Sequence, residues 1–402
     1  MKHFFVKLNN KQTIKIDKGI FVDLLELSHI KEYTDYVNAI EQNEITFINL
    51  KKLAAKACVP YPLFFAPRNI IDIQIVAKDK SLNEKIPSKE EMRLSSRGRV
   101  EIKDIELIVK DLGRKQEFLK NRVLVNAEAN KFIGSVAAKV KAGVPITEIA
   151  SEIRDYLGID LSYLRSISKE KVLKYITACS EHKGILISFS SYNYMPQNID
   201  PELELSGICI KDKKFPYVFI NTRDGDAKPK IIESTGRQIF TLLSMLACIG
   251  MNKFMLSSKT GVSKDDPTKL AYSIAAEIII PKKDLIGVEI KTLEGLKEKA
   301  HFFRITPSML LYQLTIQKKI STSLANSFRD LLQQDVKKAG SKVQRAPHPT
   351  TGYGKYNGER FSKEVIKAHQ AGLIFQVDVK NILFRRGKMD TALLNEYSRK
   401  YK

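Results

Sequence analysis

The chain has 402 residues, which is longer than one hydrophobic core usually grows, so we expect two or three domains. Hydrophobic residues make up 43% of the chain and charged residues 28%, a balance that excludes intrinsic disorder. The formal net charge of +22 favours a polyanionic partner such as a phosphate backbone, although solvated basic faces explain the same composition equally well.

Three further observations bear on location. The longest nearly apolar stretch, 239–251, is interrupted by Thr241 and Ser244 and is too short for a membrane helix of roughly 20 residues. The first residues have too short an apolar core for a secretory signal. The cysteines form no Cys-x-x-Cys pair that would indicate a disulfide framework or a zinc site: Cys58, Cys179, Cys209 and Cys248. We therefore expect no membrane association and a reducing, cytoplasmic environment.

The first part of the chain has helical periodicity. Apolar spacing predicts helices over 18–27, 31–40 and 47–57, and we interpret residues 1–77 as an N-terminal helical, helix-turn-helix-like region. Residues 78–89 are polar and charged, which predicts a linker. Residues 90–165 then form a helical connector, with one helix or helix pair at 102–124 and a hairpin at 127–157.

The pattern changes after residue 165. Short β-branched runs predict strands, and longer periodic runs predict helices, so residues 166–285 read as an α+β domain. We predict strands at 184–189, 205–211 and 216–221, and helices at 169–183, 237–253 and 266–280. Residues 286–402 form a basic C-terminal helical domain, with helices at 291–302, 306–317, 322–338, 360–372 and 377–384 and a Gly- and Pro-rich loop at 340–358.

The helix at 237–253 has the framework of a zinc-peptidase active-site helix. Such a helix places two histidines four residues apart on one face, with a glutamate beside the first as general base. Here the three positions hold Ser244, Met245 and Cys248. A serine is a poor zinc ligand and a thioether cannot accept a proton, so Cys248 alone could coordinate a metal.

Several segments in a fixed order resemble the ImmA/IrrE-type zinc metallopeptidases, which are often fused behind an Xre-type helix-turn-helix. The most specific are 237–243 (RQIFTLL) and 275–281 (AAEIIIP). The others are 45–65 (ITFINLKKLAAKACVPYPLFF), 104–118 (DIELIVKDLGRKQEF), 205–210 (LSGICI) and 215–221 (FPYVFIN). The resemblance implies that the α+β domain has a zincin-like metallopeptidase fold with a small sheet.

The resemblance also implies which residues have changed. Family members carry His-Glu-x-x-His where Ser244, Met245 and Cys248 stand, and a third zinc-ligating glutamate where Thr268 stands. We therefore expect no catalytic residue, no metal ligands and no cofactor, although the family uses zinc. The expected function is that of a catalytically inactive homologue, a regulatory factor of a prophage or mobile element that binds DNA, a regulatory protein such as a repressor, or both.

The alternative is an active zinc-dependent endopeptidase that cleaves a regulatory repressor and uses non-standard ligands. Cys248 would then hold the metal together with a displaced carboxylate from Asp265 or Asp266. The apolar neighbours of Cys248 favour a buried, inert thiol, and the two aspartates are better placed to cap a helix. We interpret Glu277, which is not the ligand in the family's Ala-Ala-Glu stretch, as structural.

The basic charge is concentrated near the C-terminus. Residues 335–402 hold 15 lysines and arginines against 6 acidic residues, whereas residues 1–67 hold 9 against 7. A DNA reader needs basic flanks, so the C-terminal segment is the better candidate for binding nucleic acid without sequence preference. The candidate residues are Lys380, Arg385, Arg386, Lys388, Arg399 and Lys400.

Overall fold

The structure is a computed structural model of an α+β protein that is mostly helical. It describes residues 3–8, 12–25, 28–31, 33–57, 59–85, 104–199, 203, 205–222, 234–254, 256–258, 268–338, 347–384 and 390–402. Within these ranges, strands form one three-stranded and one four-stranded sheet. None of the helices in the described ranges combines the length and the apolar character needed to cross a bilayer.

The N-terminal region combines a small sheet with helices. Strand β1 (His3–Lys7) lies between β2 (Thr13–Asp17), which is antiparallel to it, and β3 (Glu44–Thr46), which is parallel. The helices are α1 (Lys18–Leu24), α2 (Ser28–Lys31), α3 (Thr34–Gln42), α4 (Phe47–Ala57) and α5 (Arg68–Lys85), with a 3-10 turn at Tyr61–Phe65. Stacked rings of Phe4, Phe21 and Tyr36 fill their shared core.

Two predictions for this region were wrong. The prediction of helices alone missed the sheet, because β1 pairs with residues about forty positions away, such as Phe5 with Glu44, and local periodicity does not register such pairing. The predicted linker at 78–89 is helical as far as Lys85, because α5 continues from Arg68 through the polar residues of this segment. Polar residues on an exposed helix and on a linker look alike in sequence.

The four-stranded sheet is the centre of the molecule. Its order is β4 (Leu186–Phe189), β6 (Tyr217–Ile220), β5 (Leu205–Ile210), β7 (Leu256–Ser258). Strands β4 and β6 run parallel, and β5 is antiparallel to β6 and β7. Every residue of β5 and β6 is buried, which means that both faces of the sheet are covered.

Helix α6 (Glu106–Phe118) lies on one face of the sheet and ends in a π-helical turn at Leu119–Val123. The other face carries the next nine helices, which are α7 (Ala137–Lys141), α8 (Ile146–Leu157), α9 (Leu161–Ser166), α10 (Lys169–His182), α11 (Thr235–Gly250), α12 (Thr268–Ile279), α13 (Leu293–Phe302), α14 (Pro307–Ile316) and α15 (Thr322–Lys338). The first core contains Ile153, Ile220, Leu242, Ile274 and Leu310.

The opposite face is covered by α6 and by the last four helices, α16 (Pro349–Asn357), α17 (Glu359–Gln370), α18 (Gln376–Leu383) and α19 (Thr391–Lys400). The second core joins Leu112 of α6 and Phe219 of β6 to Tyr356, Phe361 and Tyr397. The last four helices are therefore one layer of a three-layer structure.

The predicted loop at 340–358 was wrong for residues 349–357, which form α16. Glycines in the sequence suggested a loop, but here they allow close packing. An added Cβ at Gly352 would lie 2.2 Å from the Tyr194 ring, and one at Gly354 would lie 1.7 Å from the Tyr401 hydroxyl. Helix α19 and strand β7 were also not anticipated.

The division into four regions stays a prediction. Apolar contacts cross two of its proposed boundaries, because the first core joins Ile149 and Ile153 to Ile274, and Ile274 to Leu296 and Leu310. The sequence pattern thus separates segments that share one core.

Candidate functional site

Helix α11 is anchored at its N-terminal end and along its sheet-facing side. The Ser234 hydroxyl caps its first turn by accepting from the Arg237 backbone N–H at 3.4 Å. A Cβ at Gly207 of β5 would lie 2.9 Å from Thr241, and one at Gly236 would lie 3.0 Å from the Ile305 backbone. Glycine at these two positions lets the helix lie directly on the strand and against the turn before α14.

The three residues that stand at the spacing of a zinc-peptidase motif lie inside the core. Ser244 is fully buried, and Met245 and Cys248 are each 2% exposed. The Ser244 hydroxyl donates to the Phe240 carbonyl oxygen at 2.8 Å, a bond within the helix itself. The Met245 sulfur lies 3.1 Å from the Cys209 sulfur of β5, and the Cys209 thiol donates to the Met245 carbonyl at 3.4 Å. Met245 and Cys248 are part of the first core, and Met245 packs the helix onto β5.

These residues do not fit a zinc ion as a set. The Ser244 hydroxyl is already used by the helix, the Met245 thioether contacts another sulfur, and Cys248 alone offers a zinc-type donor. Thr268 begins α12, but its side chain lies outside the described part of the structure, as do Asp265 and Asp266. Across the residues that the structure describes, His, Cys, Asp and Glu side chains form no cluster of three that could hold a metal ion.

Glu277 of α12 has contacts of a structural kind. Its carboxylate accepts from the Lys282 backbone N–H at 2.9 Å, and the Gln313 amide donates to it at 3.5 Å. Burial raises the pKa of the Glu277 carboxyl. Arg154 of α8 donates to the Glu277 carbonyl oxygen at 2.9 Å, so this segment joins α8, α12 and α14.

The basic residues predicted to bind nucleic acid are only partly placed by the structure. Lys380 is half-exposed on α18, whereas Arg399 and Lys400 are exposed at the end of α19. The Lys400 ammonium donates to the Thr351 hydroxyl of α16 at 3.4 Å. Arg385, Arg386 and Lys388 lie outside the described residues.

A second surface, which the sequence interpretation missed, surrounds the turn between α17 and α18. Three large apolar side chains are exposed there: Leu373 (62%), Phe375 (74%) and Val377 (59%). Gln376 and Asn381 are exposed on the same helix, α18, beside Lys380. We name Glu359–Leu383 the α17–α18 unit. Its sequence alternates apolar and polar residues, and only the packing shows which apolar residues face outward.

Charged and hydroxyl side chains are also buried between the sheet and the last helices. The Lys115 ammonium lies 3.3 Å from Asp111 and 3.9 Å from the ring centre of Tyr356, whose hydroxyl donates to Asp111 at 3.0 Å. Burial raises the pKa of Tyr356 well above its ordinary value. A small cavity of about 10 Å³, room for about one water molecule, lies beside Asp111, Tyr356 and Asn357. This cluster ties α6 to α16.

A buried carboxyl fixes the start of α17. Glu181 of α10 accepts from the Arg360 backbone N–H at 3.2 Å, and the Arg360 guanidinium donates to the Glu181 carbonyl oxygen. Burial raises the pKa of Glu181 to about 7, and the neighbouring Glu359 adds to the effect. The α17–α18 unit is therefore fastened to α10 through Glu181.

Comparisons with protein-family models, with curated proteins and with solved structures found no match for this chain.

Proposed function

We propose that this chain is a catalytically inactive relative of the ImmA/IrrE-type metallopeptidases that acts by binding, as a regulatory factor with DNA, a regulatory protein, or both as its partner. The burial of Ser244, Met245 and Cys248 carries the proposal. A hydrolytic site needs a base and a metal that reach a bound peptide, whereas Ser244 bonds within its own helix, Met245 lies against Cys209 of β5, and Met245 and Cys248 belong to the first core.

The zincin-like fold is part of the same proposal. Its support is the order of elements: a strand-rich segment, then α11, then α12 packed against it, as the resemblance of 237–243 and 275–281 requires. A hydroxyl, a thioether and a thiol stand at the three motif positions, and α11 is a buried core helix.

The binding role is supported by charge. The chain carries a formal net charge of +22, and residues 335–402 contribute 15 basic against 6 acidic residues. A surface of this sign attracts phosphate backbones and other polyanions, with an affinity that falls as salt rises. Among the described residues, Lys380, Arg399 and Lys400 present part of this charge on α18 and α19.

Metal analysis and a peptidase assay test the loss of catalysis. We expect the purified full chain to bind no stoichiometric zinc, and to cleave no peptide bond in added zinc. Cys248→Ala provides the matched comparison, because Cys248 is the only zinc-type donor among the three buried positions. Stoichiometric zinc that disappears in Cys248→Ala, together with cleavage, would establish the peptidase with non-standard ligands instead.

Rebuilding the motif tests the fold. The variant Ser244→His, Met245→Glu, Cys248→His and Thr268→Glu should regain zinc if α11 and α12 keep a zincin-like relation. The variant Met245→Leu controls for repacking beside Cys209, since leucine conserves the volume. A rebuilt variant that folds, as judged by its circular dichroism, and remains free of zinc would refute the zincin-like arrangement.

A further inference from the structure

The α17–α18 unit has the build of a helix-turn-helix. Helix α17 and helix α18 are joined by five residues, 371–375, in which Gly372 has φ +73° and allows the sharp turn. The two helices share buried residues of the second core: Val365, Ile366, Ala368, Ile374, Val379 and Ile382. The bond between Glu181 and Arg360 fixes the start of α17, and the shared core residues hold α18 against α17.

The start of α18 is also fixed. The Asp378 carboxylate accepts from the Phe375 backbone N–H at 3.0 Å, which caps the helix. At the other end, the Arg114 guanidinium donates to the Asn381 carbonyl oxygen at 3.0 Å, while the Asn381 side chain stays exposed. A helix held at both ends can present its outer face without a large cost in conformational entropy.

The outer face of α18 has the side chains that read base edges. Gln376, Val377, Lys380 and Asn381 follow the i, i+1, i+4, i+5 spacing of one helical face, and none of them is buried. Glutamine and asparagine pair with adenine in the major groove, lysine pairs with guanine, and apolar groups contact the thymine methyl. Phe375 and Val377 supply exposed apolar groups of the last kind.

Basic side chains lie on α17 and beside the start of α18. Lys367 is exposed near the end of α17, and Arg122, which is 52% exposed, lies 3.5 Å from Asp378. Asp378, the one acidic residue of α18, is therefore paired with the Arg122 guanidinium and used as the helix cap. The local charge suits phosphates on both sides of a groove.

We propose that the α17–α18 unit docks in the major groove of duplex DNA and that the outer face of α18 reads the bases. This inference rests on the proposed binding function and names its partner and site. A lipid surface would use the apolar and basic groups but not the two amides, and an acidic protein would not need their spacing. Duplex DNA uses all three kinds of group at once.

The test uses the full chain and a randomised duplex of about 20 base pairs, roughly two helical turns, from which tight binders are selected. Fluorescence anisotropy then compares the selected duplex with a random one at two salt concentrations. The double variant Gln376→Ala/Asn381→Ala should lose about tenfold or more of the preference for the selected duplex and keep its non-specific affinity. Lys367→Ala should weaken both complexes alike and lower the salt slope by about one.

Gln74→Ala and Lys141→Ala are the matched controls, because both residues are exposed on helices outside the unit, α5 and α7. They should bind both duplexes as the unchanged chain does. Equal binding by the double variant and the unchanged chain would overturn the proposed site while DNA binding itself stood. A full chain that binds no duplex would overturn duplex DNA as the partner. So would a full chain that binds anionic vesicles or an acidic protein, with that binding lost in Phe375→Ser while duplex binding is unchanged. In either case the zinc assay would still decide the loss of catalysis.

Discussion

Replacing Glu181 by glutamine should remove a pH dependence from the stability of the protein. Burial raises the pKa of this carboxyl from the ordinary 4.5 to about 7, and the charges that face it are Glu359, which raises the pKa, and Arg360, which lowers it. Glutamine keeps the oxygen that accepts from the Arg360 N–H, so the hydrogen bond survives the change.

The sign follows from proton binding. Between the two pKa values the folded protein holds a proton at Glu181 that the unfolded chain releases, so the stability from this group is complete below about pH 4.5. This contribution to stability decreases as the pH rises to about 7, and above that pH the group changes the stability no further. The difference between a pKa of 4.5 and one of about 7 corresponds to about 3 kcal/mol of folding stability. The unchanged protein should lose this stability across the window, and the Glu181→Gln variant should not.

Denaturant unfolding at intervals between about pH 5 and about pH 8 measures the difference between the two proteins. A carboxyl resonance that titrates near neutral pH, and that is missing from the variant, would identify the group directly. Glu148→Gln is the control, because Glu148 is an exposed carboxylate in the first turn of α8. Parallel stability curves for the unchanged protein and Glu181→Gln would refute the reasoning.

Two further substitutions test the packing of the last helices. Gly354→Ala would place a Cβ 1.7 Å from the Tyr401 hydroxyl and should lower the thermal midpoint of unfolding by several degrees. Gly295→Ala in α13 is the control, because its Cβ would meet only Thr292 Oγ1, at 3.2 Å, and it should change the midpoint little. Equal midpoints for the two variants would contradict the close packing. Lys115→Met should cost about 2 kcal/mol in denaturant unfolding, because it removes the ammonium from the buried Tyr356 ring and from Asp111, which keeps Arg114 at 2.9 Å. No effect of Lys115→Met would contradict this buried contact.

Much of the sheet and its helices could be predicted from local patterns. Strands β4, β5 and β6 and helix α10 lie within two residues of their predicted bounds, and α11 within three, because their apolar runs are long and begin at clear signals such as Ser168 and Ser234. Features that depend on distant parts of the chain were not predictable. Strand β1 needs residues 44–46 as its partner, and α16 needs two tyrosine rings over its glycines.

The candidate site divides in the same way. The sequence located Ser244, Met245 and Cys248, since spacing along a helix is local information. It could not show that Cys209, from a strand 36 residues earlier, lies against Met245. Nor could it separate the exposed Phe375 from the buried Ile374, which differ by one position in a turn. A residue's exposure is set by what the rest of the chain places over it.

The position of α16–α19 over the second face of the sheet has a consequence for the gene. A nonsense or frameshift change after codon 338 would not give a shortened protein with its other functions intact, because Leu186, Ile208, Tyr217 and Phe219 would lose the part of their cover that α16–α19 provide. Such a product would present an apolar part of the sheet face and would be prone to aggregation and proteolysis. Residues 349–402 are thus required for the integrity of the sheet, and natural variation in them should be as restricted as in its strands.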